Sequence, residues 1–237
     1  MKRGTASLLA LVAFALIPAR LLADATYSDG TFNNADWTAT AILNTGSPAY
    51  SFTDSQQTSG GNPGDFREVV HTLSGSAGSL IVAHMNTGDI YNPAANGPIS
   101  TIDFSYDLIQ FNPPANQAVA YDLLLFQNGS YYSSSGDLIF TNSWTPFSHV
   151  GLTASDFVLA VPGAIGPAHP DFSATGSLID FGYLSGNSNT GAGSDVRDSG
   201  IDNWSVTLHS PVPEPVSLLL LGTGSLGLLF SRRSCKK

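Results

Sequence analysis

Apolar and polar residues alternate through residues 102–108, 177–184 and 204–208, and this alternation limits the possible folds more than any other feature of the chain. A period of two residues places apolar side chains on one face of an extended strand, whereas an amphipathic helix repeats every 3.6 residues. Residues 119–126 are apolar on both faces, as in a central strand. Because no segment keeps a helical period over several turns, an all-β body is predicted.

Segments rich in β-branched and aromatic residues predict further strands at residues 37–43, 66–73, 80–84, 137–140 and 156–161. Turn-forming runs separate these segments, and Asn128-Gly129 predicts a two-residue hairpin. Such a series of short strands across residues 26–210 predicts one domain, a two-sheet antiparallel β-sandwich of the jelly-roll type.

The body of the chain is strongly acidic. Only two of the nine basic residues, Arg67 and Arg197, lie between Asp24 and Pro215, whereas all 18 acidic residues lie there. This charge balance repels nucleic acids and anionic membrane surfaces, so neither is expected as a partner. It suits a hard cation such as Ca²⁺, although aspartate also populates turns for reasons unrelated to metals. The single cysteine, Cys235, lies outside the body, which excludes an intrachain disulfide.

Residues 1–25 have the pattern of a secretory signal peptide. Lys2 and Arg3 form a basic start, residues 6–17 form an apolar run, and Ala23-Asp24-Ala25 offers a small-x-small cleavage pattern. The apolar run is shorter than the roughly 20 residues that a membrane span requires. A cleaved signal helix is therefore predicted, with the cut after Ala25 or Ala23, and the body is expected to be exported across the inner membrane.

Three features follow one another at the carboxyl end. Val212-Pro213-Glu214-Pro215 precedes an uncharged segment rich in Leu and Gly, residues 216–230, and four basic residues lie beyond it at 232, 233, 236 and 237. The segment is predicted to be a single transmembrane helix whose basic end stays in the cytoplasm. At 1.5 Å per residue it spans about 22 Å, less than the roughly 30 Å hydrocarbon core, which suits an anchor that is held briefly and then removed.

This tail, residues 211–237, resembles the PEP-CTERM sorting signal. The resemblance depends on the Pro-Glu-Pro motif, the Leu-rich residues 218–221 and the terminal Arg232-Arg233. In that family exosortase, a membrane transpeptidase with a cysteine nucleophile, recognises the signal and cleaves near it. The resemblance implies that Pro213, Glu214 and Pro215 form the sorting motif, and that the chain is membrane-anchored before it passes to the cell envelope or the extracellular space. A plain C-terminal anchor is the alternative.

Two short segments of the body resemble carbohydrate-binding jelly-roll modules. Residues 29–32 together with Trp37 are similar to their opening, and residues 200–206 are similar to their last strand. In such modules a structural Ca²⁺ often lies where the first and last strands meet. The resemblance implies that Asp202 is the principal metal ligand, with Asp29 as a second ligand. The alternative is that Asp202 only ends the turn before the strand.

A polysaccharide-binding surface needs exposed aromatic faces with hydrogen-bonding side chains beside them. The candidates are Tyr131, Tyr132, Trp144 and Trp37. Because Tyr131 and Tyr132 are neighbours on one strand, they point to opposite faces, so at most one of them can meet a given ligand. Burial in the core is the alternative for each of the four.

The sequence contains no GxSxG, HExxH or P-loop motif. His71 and His84 lie on predicted strands and could meet across a sheet, which favours structural histidines. No catalytic residue and no enzymatic activity are predicted. The leading hypothesis is a non-catalytic envelope or extracellular-matrix protein that acts in surface or exopolysaccharide association. The alternatives are a Ca²⁺-stabilised carbohydrate-binding module and a secreted hydrolase on a jelly-roll fold.

Overall fold

Strands dominate the part of the chain that the computed structural model describes, residues 23–113 and 117–211. Residues 1–22 of the predicted signal peptide, the Pro-Glu-Pro motif, the predicted transmembrane segment 216–230 and Cys235 lie outside these residues. Within the described ranges, no helix has both the length and the apolar character that a membrane crossing would need.

Sheet A contains six strands, β1 (Ala25–Asp29), β3 (Ser51–Gly61), β4 (Gly64–Leu73), β6 (Thr101–Gln110), β10 (Thr145–Leu152) and β13 (Asp195–His209). Their order is β10-β6-β13-β4-β3, and β1 pairs with the second half of β13. All of these pairings are antiparallel.

Sheet B contains seven strands, β2 (Trp37–Asn44), β5 (Ala77–Tyr91), β7 (Val119–Gln127), β8 (Ser130–Ser133), β9 (Asp137–Ile139), β11 (Val158–Leu159) and β12 (Ile179–Thr190). Their order is β11-β8-β7-β12-β5-β2, with β9 alongside β7, and the pairings are again antiparallel. A short helix, α1 (Pro93–Asn96), and a 3-10 turn (Ala154–Asp156) connect strands.

The connectivity is that of a jelly roll. Strands β4, β13, β6 and β10 lie side by side in sheet A, and β5, β12, β7 and β8 lie side by side in sheet B. The chain changes sheet between β4 and β5, between β5 and β6, and between β6 and β7. Early strands thus pair with the last two, β4 with β13 and β5 with β12, as two interlocked Greek keys require. The predicted all-β antiparallel sandwich is confirmed.

The alternation in β6 determines which side of sheet A faces the core. Every second side chain from Ile102 to Leu108 is almost fully buried, and the residues between them are half-exposed. A fully buried apolar side chain of this size contributes about 1.5–3 kcal/mol by leaving water. Trp204 of β13 lies in the same core and meets Trp37 edge-on, with ring centroids 5.5 Å apart.

The chain enters and leaves the sandwich at the same end. In the β1–β13 pair, Ala25 lies opposite Leu208. Just beside this pair, His209 Nδ1 is 2.9 Å from Asp24 Oδ2, and His209 Nε2 is 2.9 Å from Asp103 Oδ2. Hydrogen bonding to these two carboxylates raises the pKa of His209 above its usual value. The predicted signal cleavage site and the start of the predicted sorting tail are therefore neighbours on the folded chain.

Candidate functional site

The β3–β4 hairpin turn, residues 60–64, brings two predicted site residues together. The backbone N–H of Asn62 donates to Asp202 Oδ2, and Trp144 Nε1 donates to the carbonyl oxygen of Gly60 over 2.9 Å. A β-carbon at Gly61 would lie 2.7 Å from Asp202 Oδ2, so only glycine allows the turn to approach this carboxylate so closely. We use the name turn surface for the part of sheet A formed by seven residues around this turn: Asn62, Phe66, Asp107, Phe111, Trp144, Asp202 and Asn203.

Asp202 is fully buried and is held by the backbone. Its Oδ1 accepts the N–H of Asn203 over 2.6 Å, and Asn203 adopts a φ of 51°. The Asn203 amide donates to the Asn62 carbonyl oxygen and to Asp107 Oδ2, over 2.6 and 2.7 Å. Burial raises the pKa of Asp202 although it accepts two backbone hydrogen bonds. The turn surface is therefore rich in oxygen atoms and contains two acidic groups to which no basic side chain of the described part of the chain is bonded.

The turn surface also has an aromatic part. The rings of Trp144 and Phe66 meet edge-on at 5.4 Å, and Phe111 lies 5.6 Å from Phe66 and 6.5 Å from Trp144. Phe66 is buried below the other two, whereas Phe111 is 37% exposed. Apolar ring surface and amide groups thus lie next to each other on the outer side of sheet A.

Asp29, the second predicted metal ligand, caps its own turn. Its Oδ1 accepts the backbone N–H groups of Thr31 and Phe32 over 2.7 and 2.8 Å, and its Oδ2 accepts Trp37 Nε1 over 2.7 Å. Burial raises the pKa of Asp29, but hydrogen bonds from Trp37, Phe32 and Thr31 more than offset this, and the pKa lies below its usual value. Among residues 23–113 and 117–211, no group of three or more His, Cys, Asp or Glu side chains could hold a metal ion.

Two of the four predicted sugar-contacting aromatics are core residues. Trp37 is 4% exposed and Tyr132 is 1% exposed, because both side chains point between the sheets. The prediction that they bind a ligand is wrong for this reason. Tyr131 points the opposite way, as its position beside Tyr132 predicts, and packs on Phe126 at 4.7 Å on the outer side of sheet B.

The two histidines predicted to meet do so at a serine. Ser185 Oγ lies 3.0 Å from His71 Nε2 and 2.9 Å from His84 Nε2, and His84 Nδ1 lies 3.4 Å from Asp54 Oδ2. This order of Asp, His and Ser has the appearance of a catalytic triad. However, Ser185 has no exposed surface, so no substrate can reach its hydroxyl. Burial lowers the pKa of His71 to about 4, which keeps it neutral inside the sandwich.

A second polar cluster lies between β9 and the edge strand β10. Asp137 Oδ2 accepts the Tyr106 hydroxyl over 2.6 Å and lies 2.7 Å from His149 Nε2. Nearby, Asp122 is buried and accepts the Ser134 hydroxyl over 2.6 Å. Burial raises the pKa of Asp122 to about 7, in spite of the hydrogen bonds that it accepts. No motif in the sequence singles out these residues.

An open cavity of about 600 Å³ lies between β9 and the β12–β13 hairpin. Its lining includes Leu138 and Phe140 on one side and Asp195 and Arg197 on the other. The Gly-rich run 186–193 predicts a loop, whereas residues 186–190 continue strand β12, so this cavity is not predicted from the sequence. The one available signal is that Arg197 is one of only two basic residues in the acidic body.

The tail matches a known sorting signal. Residues 211–233 match the family model described as the PEP-CTERM protein-sorting motif, so the resemblance found in the sequence is confirmed. The match covers the tail and not the sandwich. The sequence has no significant match among curated proteins.

The sandwich is similar to solved carbohydrate-binding modules. The family 11 module from Clostridium thermocellum, solved with a β-1,3-1,4-mixed-linked tetrasaccharide, aligns with a TM-score of 0.48 and 15% identity over 80% of this chain and 96% of the module. The family 30 module of a cellulosomal cellulase from the same organism aligns with a TM-score of 0.43 and 10% identity, over 80% of this chain and 98% of the module. A xylan-binding domain from Paenibacillus barcinonensis aligns with a TM-score of 0.38 and 11% identity, over 79% of this chain and 95% of that domain. Because these TM-scores are below 0.5 and the identities are 15% or less, the ligands bound by those modules are not assigned to this chain.

Proposed function

We propose that this chain is an exported surface protein whose tail is processed by an exosortase-type transpeptidase, which passes the sandwich to the cell envelope or the extracellular polymer. The match to the sorting motif at residues 211–233 carries this proposal. The motif begins two residues after β13 ends at His209. Cleavage there would remove the apolar segment 216–230 and leave the sandwich complete.

Replacing Pro213, Glu214 and Pro215 by alanines is expected to block processing, because the transpeptidase would no longer recognise its substrate. The variant should stay in the membrane fraction and retain Lys237, whereas the wild-type product should lose it. Cell fractionation and intact-mass measurement in an exosortase-containing host would show the difference. Pro167→Ala, at an exposed proline of the sandwich, is the control for expression and should mature normally. Identical maturation of both variants would contradict exosortase processing.

We propose further that the sandwich associates with polysaccharide and does not catalyse its cleavage. The turn surface and the cavity beside β9 each place exposed aromatic surface next to amide, hydroxyl or carboxylate groups, which is the combination that sugars require. The hydrolase alternative lacks comparable support, because the Ser-His-Asp arrangement of the sandwich is buried at Ser185. Retention of the full-length protein by polysaccharide, without release of reducing sugar, tests this proposal.

A structural Ca²⁺ remains a proposal that depends on Asp202. The carboxylates of Asp202 and Asp107 and the Asn62 carbonyl oxygen are ligands of the kind that calcium prefers. Asp29 is the second ligand that the sequence predicts, and its two oxygens, like those of Asp202, already accept hydrogen bonds, here from its own turn and from Trp37.

Calcium is expected to raise the thermal midpoint of the full-length protein relative to EDTA, because an ion that binds only the folded state stabilises it. At a hundredfold excess over Kd the gain is about 2.7 kcal/mol, or roughly 5–10 °C for a domain of this size. Asp202→Asn should abolish the difference between calcium and EDTA, and Asp156→Asn, at an exposed carboxylate, should preserve it. Equal midpoints for the wild type in calcium and EDTA would contradict a structural calcium ion.

A further inference from the structure

The cavity between β9 and the β12–β13 hairpin is formed by an ordered turn. Gly191 and Gly193 have φ values of 92° and 137°, in the region that favours glycine. The Asn189 side chain donates to the carbonyl oxygens of Ser74 and Gly193 over 2.9 and 2.7 Å. The hairpin that forms one wall of the cavity is therefore fixed to the β4–β5 connection.

Arg197 is the unusual residue of this cavity. It is 2% exposed, and its Nη2 pairs with Asp195 Oδ2. Its Nη1 is buried and has no hydrogen-bond partner among the described residues. A buried N–H group without a partner costs about 1–3 kcal/mol, and more when it is charged. Arg197 and Asp195 both line the cavity, so a rotation of the buried guanidinium toward the cavity would let Nη1 donate to an oxygen atom of a ligand there.

The opposite side of the cavity is apolar and open to solvent. Leu138 is 54% exposed and Phe140 is 48% exposed, although both are large hydrophobic residues. An exposed aromatic ring beside hydroxyl and amide groups offers a stacking surface for a sugar ring. A second hollow of about 340 Å³ shares Leu138 and Ser188 with the cavity and continues along sheet B to Gly186. The combined space suits a chain of sugar units better than a single one.

Charge indicates which glycans suit this cavity. Among residues 23–113 and 117–211, Asp195 and Arg197 are the only charged ones that line it, and they are opposite in sign. The rest of the body has one other basic residue, Arg67, against its excess of carboxylates. An acidic polysaccharide would therefore meet repulsion from the body and no net attraction in the cavity. The Arg–Asp pair instead offers a donor and an acceptor, which match the hydroxyl groups of a neutral sugar.

We infer that this cavity is the binding subsite for a neutral, hydroxyl-rich polysaccharide. Phe140 supplies the apolar contact and Asp195 accepts from a sugar hydroxyl, while Arg197 Nη1 donates to one once its guanidinium turns toward the cavity. This inference rests on the proposed polysaccharide association and adds its site and its ligand class. Asp195 begins β13 and His209 ends it, so the cavity lies at the end of β13 opposite to the end from which the tail leaves.

Affinity electrophoresis of the full-length protein in mild detergent tests the inference, with dextran, a soluble β-glucan, a mannan or alginate in the gel. We expect at least one neutral polymer to retard the protein and alginate to leave it unretarded, with little dependence on salt. Phe140→Ala should weaken retardation about fivefold, as the loss of one stacking contact predicts. Arg197→Lys should also weaken it, and its thermal midpoint would show whether the fold is intact.

Two exposed residues serve as matched controls. Ile165→Ala removes a fully exposed side chain that does not line the cavity and should retain wild-type retardation. Phe111→Ala tests the turn surface. Retardation that is lost with Phe111→Ala but kept with Phe140→Ala would overturn the inference and leave the proposed association in place. Salt-sensitive retardation by alginate alone would overturn the ligand class, and no retardation by any polymer would overturn the association itself.

Discussion

Arg67→Met is expected to lower the free energy of unfolding by about 3 kcal/mol, because it leaves the partly buried carboxylate of Asp54 without its cation. Arg67 Nε donates to Asp54 Oδ2 over 2.8 Å, and Nη2 pairs with the same oxygen. Burial raises the pKa of Asp54, but His84 and Arg67 more than offset this, so the carboxyl group stays ionised. Urea unfolding at neutral pH would measure the loss as a lower midpoint at an unchanged slope.

The double variant Arg67→Met with Asp54→Leu provides the control. Removing both charges leaves no unpaired ion, so the double variant should lose less stability than Arg67→Met alone. If Arg67→Met costs less than about 1 kcal/mol, or if the double variant is the less stable of the two, the ion pair between Arg67 of β4 and Asp54 of β3 does not stabilise the fold.

Asp122→Asn is expected to stabilise the protein at pH 8 by about 2–4 kcal/mol. Burial raises the pKa of Asp122 from 3.8 to about 7, and a tenfold change in proton affinity corresponds to about 1.4 kcal/mol. Between these pH values the folded state binds more protons than the unfolded state, so this carboxyl group makes stability fall as pH rises from about 4 to 7. Asparagine avoids the cost while it keeps an acceptor for the Ser134 hydroxyl.

The test is a comparison of wild type and Asp122→Asn by urea unfolding at pH 4 and pH 8. The advantage of the variant should be full at pH 8 and nearly absent at pH 4, where the wild-type carboxyl group is protonated. His71 acts in the opposite direction, since its folded pKa of about 4 lies below the usual 6.5 and stability is lost as pH falls through that range. Because His71 is present in both proteins, its effect cancels in the difference. A difference that is independent of pH would show that Asp122 is not a buried, proton-binding carboxyl group.

Three strands of sheet A, β1, β3 and β10, are not predicted from the sequence. β1 has only five residues and pairs only with the second half of β13. β3 and β10 are edge strands, and each pairs with only one neighbour in the sheet order, β4 and β6 respectively. Edge strands bury little, so β3 contains Asp, Gln and Ser, and β10 tolerates Pro146 and Gly151. The central strands β6 and β12 bury one face or both, and their apolar patterns predict them.

The predicted site residues divide according to what the sequence can specify. Tyr132 and Trp37 have aromatic rings that could stack on a sugar, but each is buried because of the strand face on which it lies. For Trp37, at the start of β2, the neighbouring sequence does not show which face that is. Asp202 and Trp144 are predicted separately, as metal ligand and aromatic platform. Their approach through residues 60–64 depends on the pairing of β3 with β4 and of β13 with β6. Contacts between residues so far apart in the chain arise from the topology.

The predictions for the two ends depend on a different kind of evidence. Charge, apolar length and small residues specify export and sorting without any tertiary contact, which is why residues 211–233 can be interpreted from sequence. The structure adds that Asp24 and His209 are neighbours, so the chain enters and leaves the sandwich at one end.

The most direct test of the central claim is the intact mass of the protein isolated from the envelope and the medium of an exosortase-containing host. We predict a chain that begins at Asp24 or Thr26, ends near Pro213 and lacks the apolar segment 216–230. A mature protein that still extends to Lys237 would contradict the claim that this sandwich is delivered to the surface without its tail.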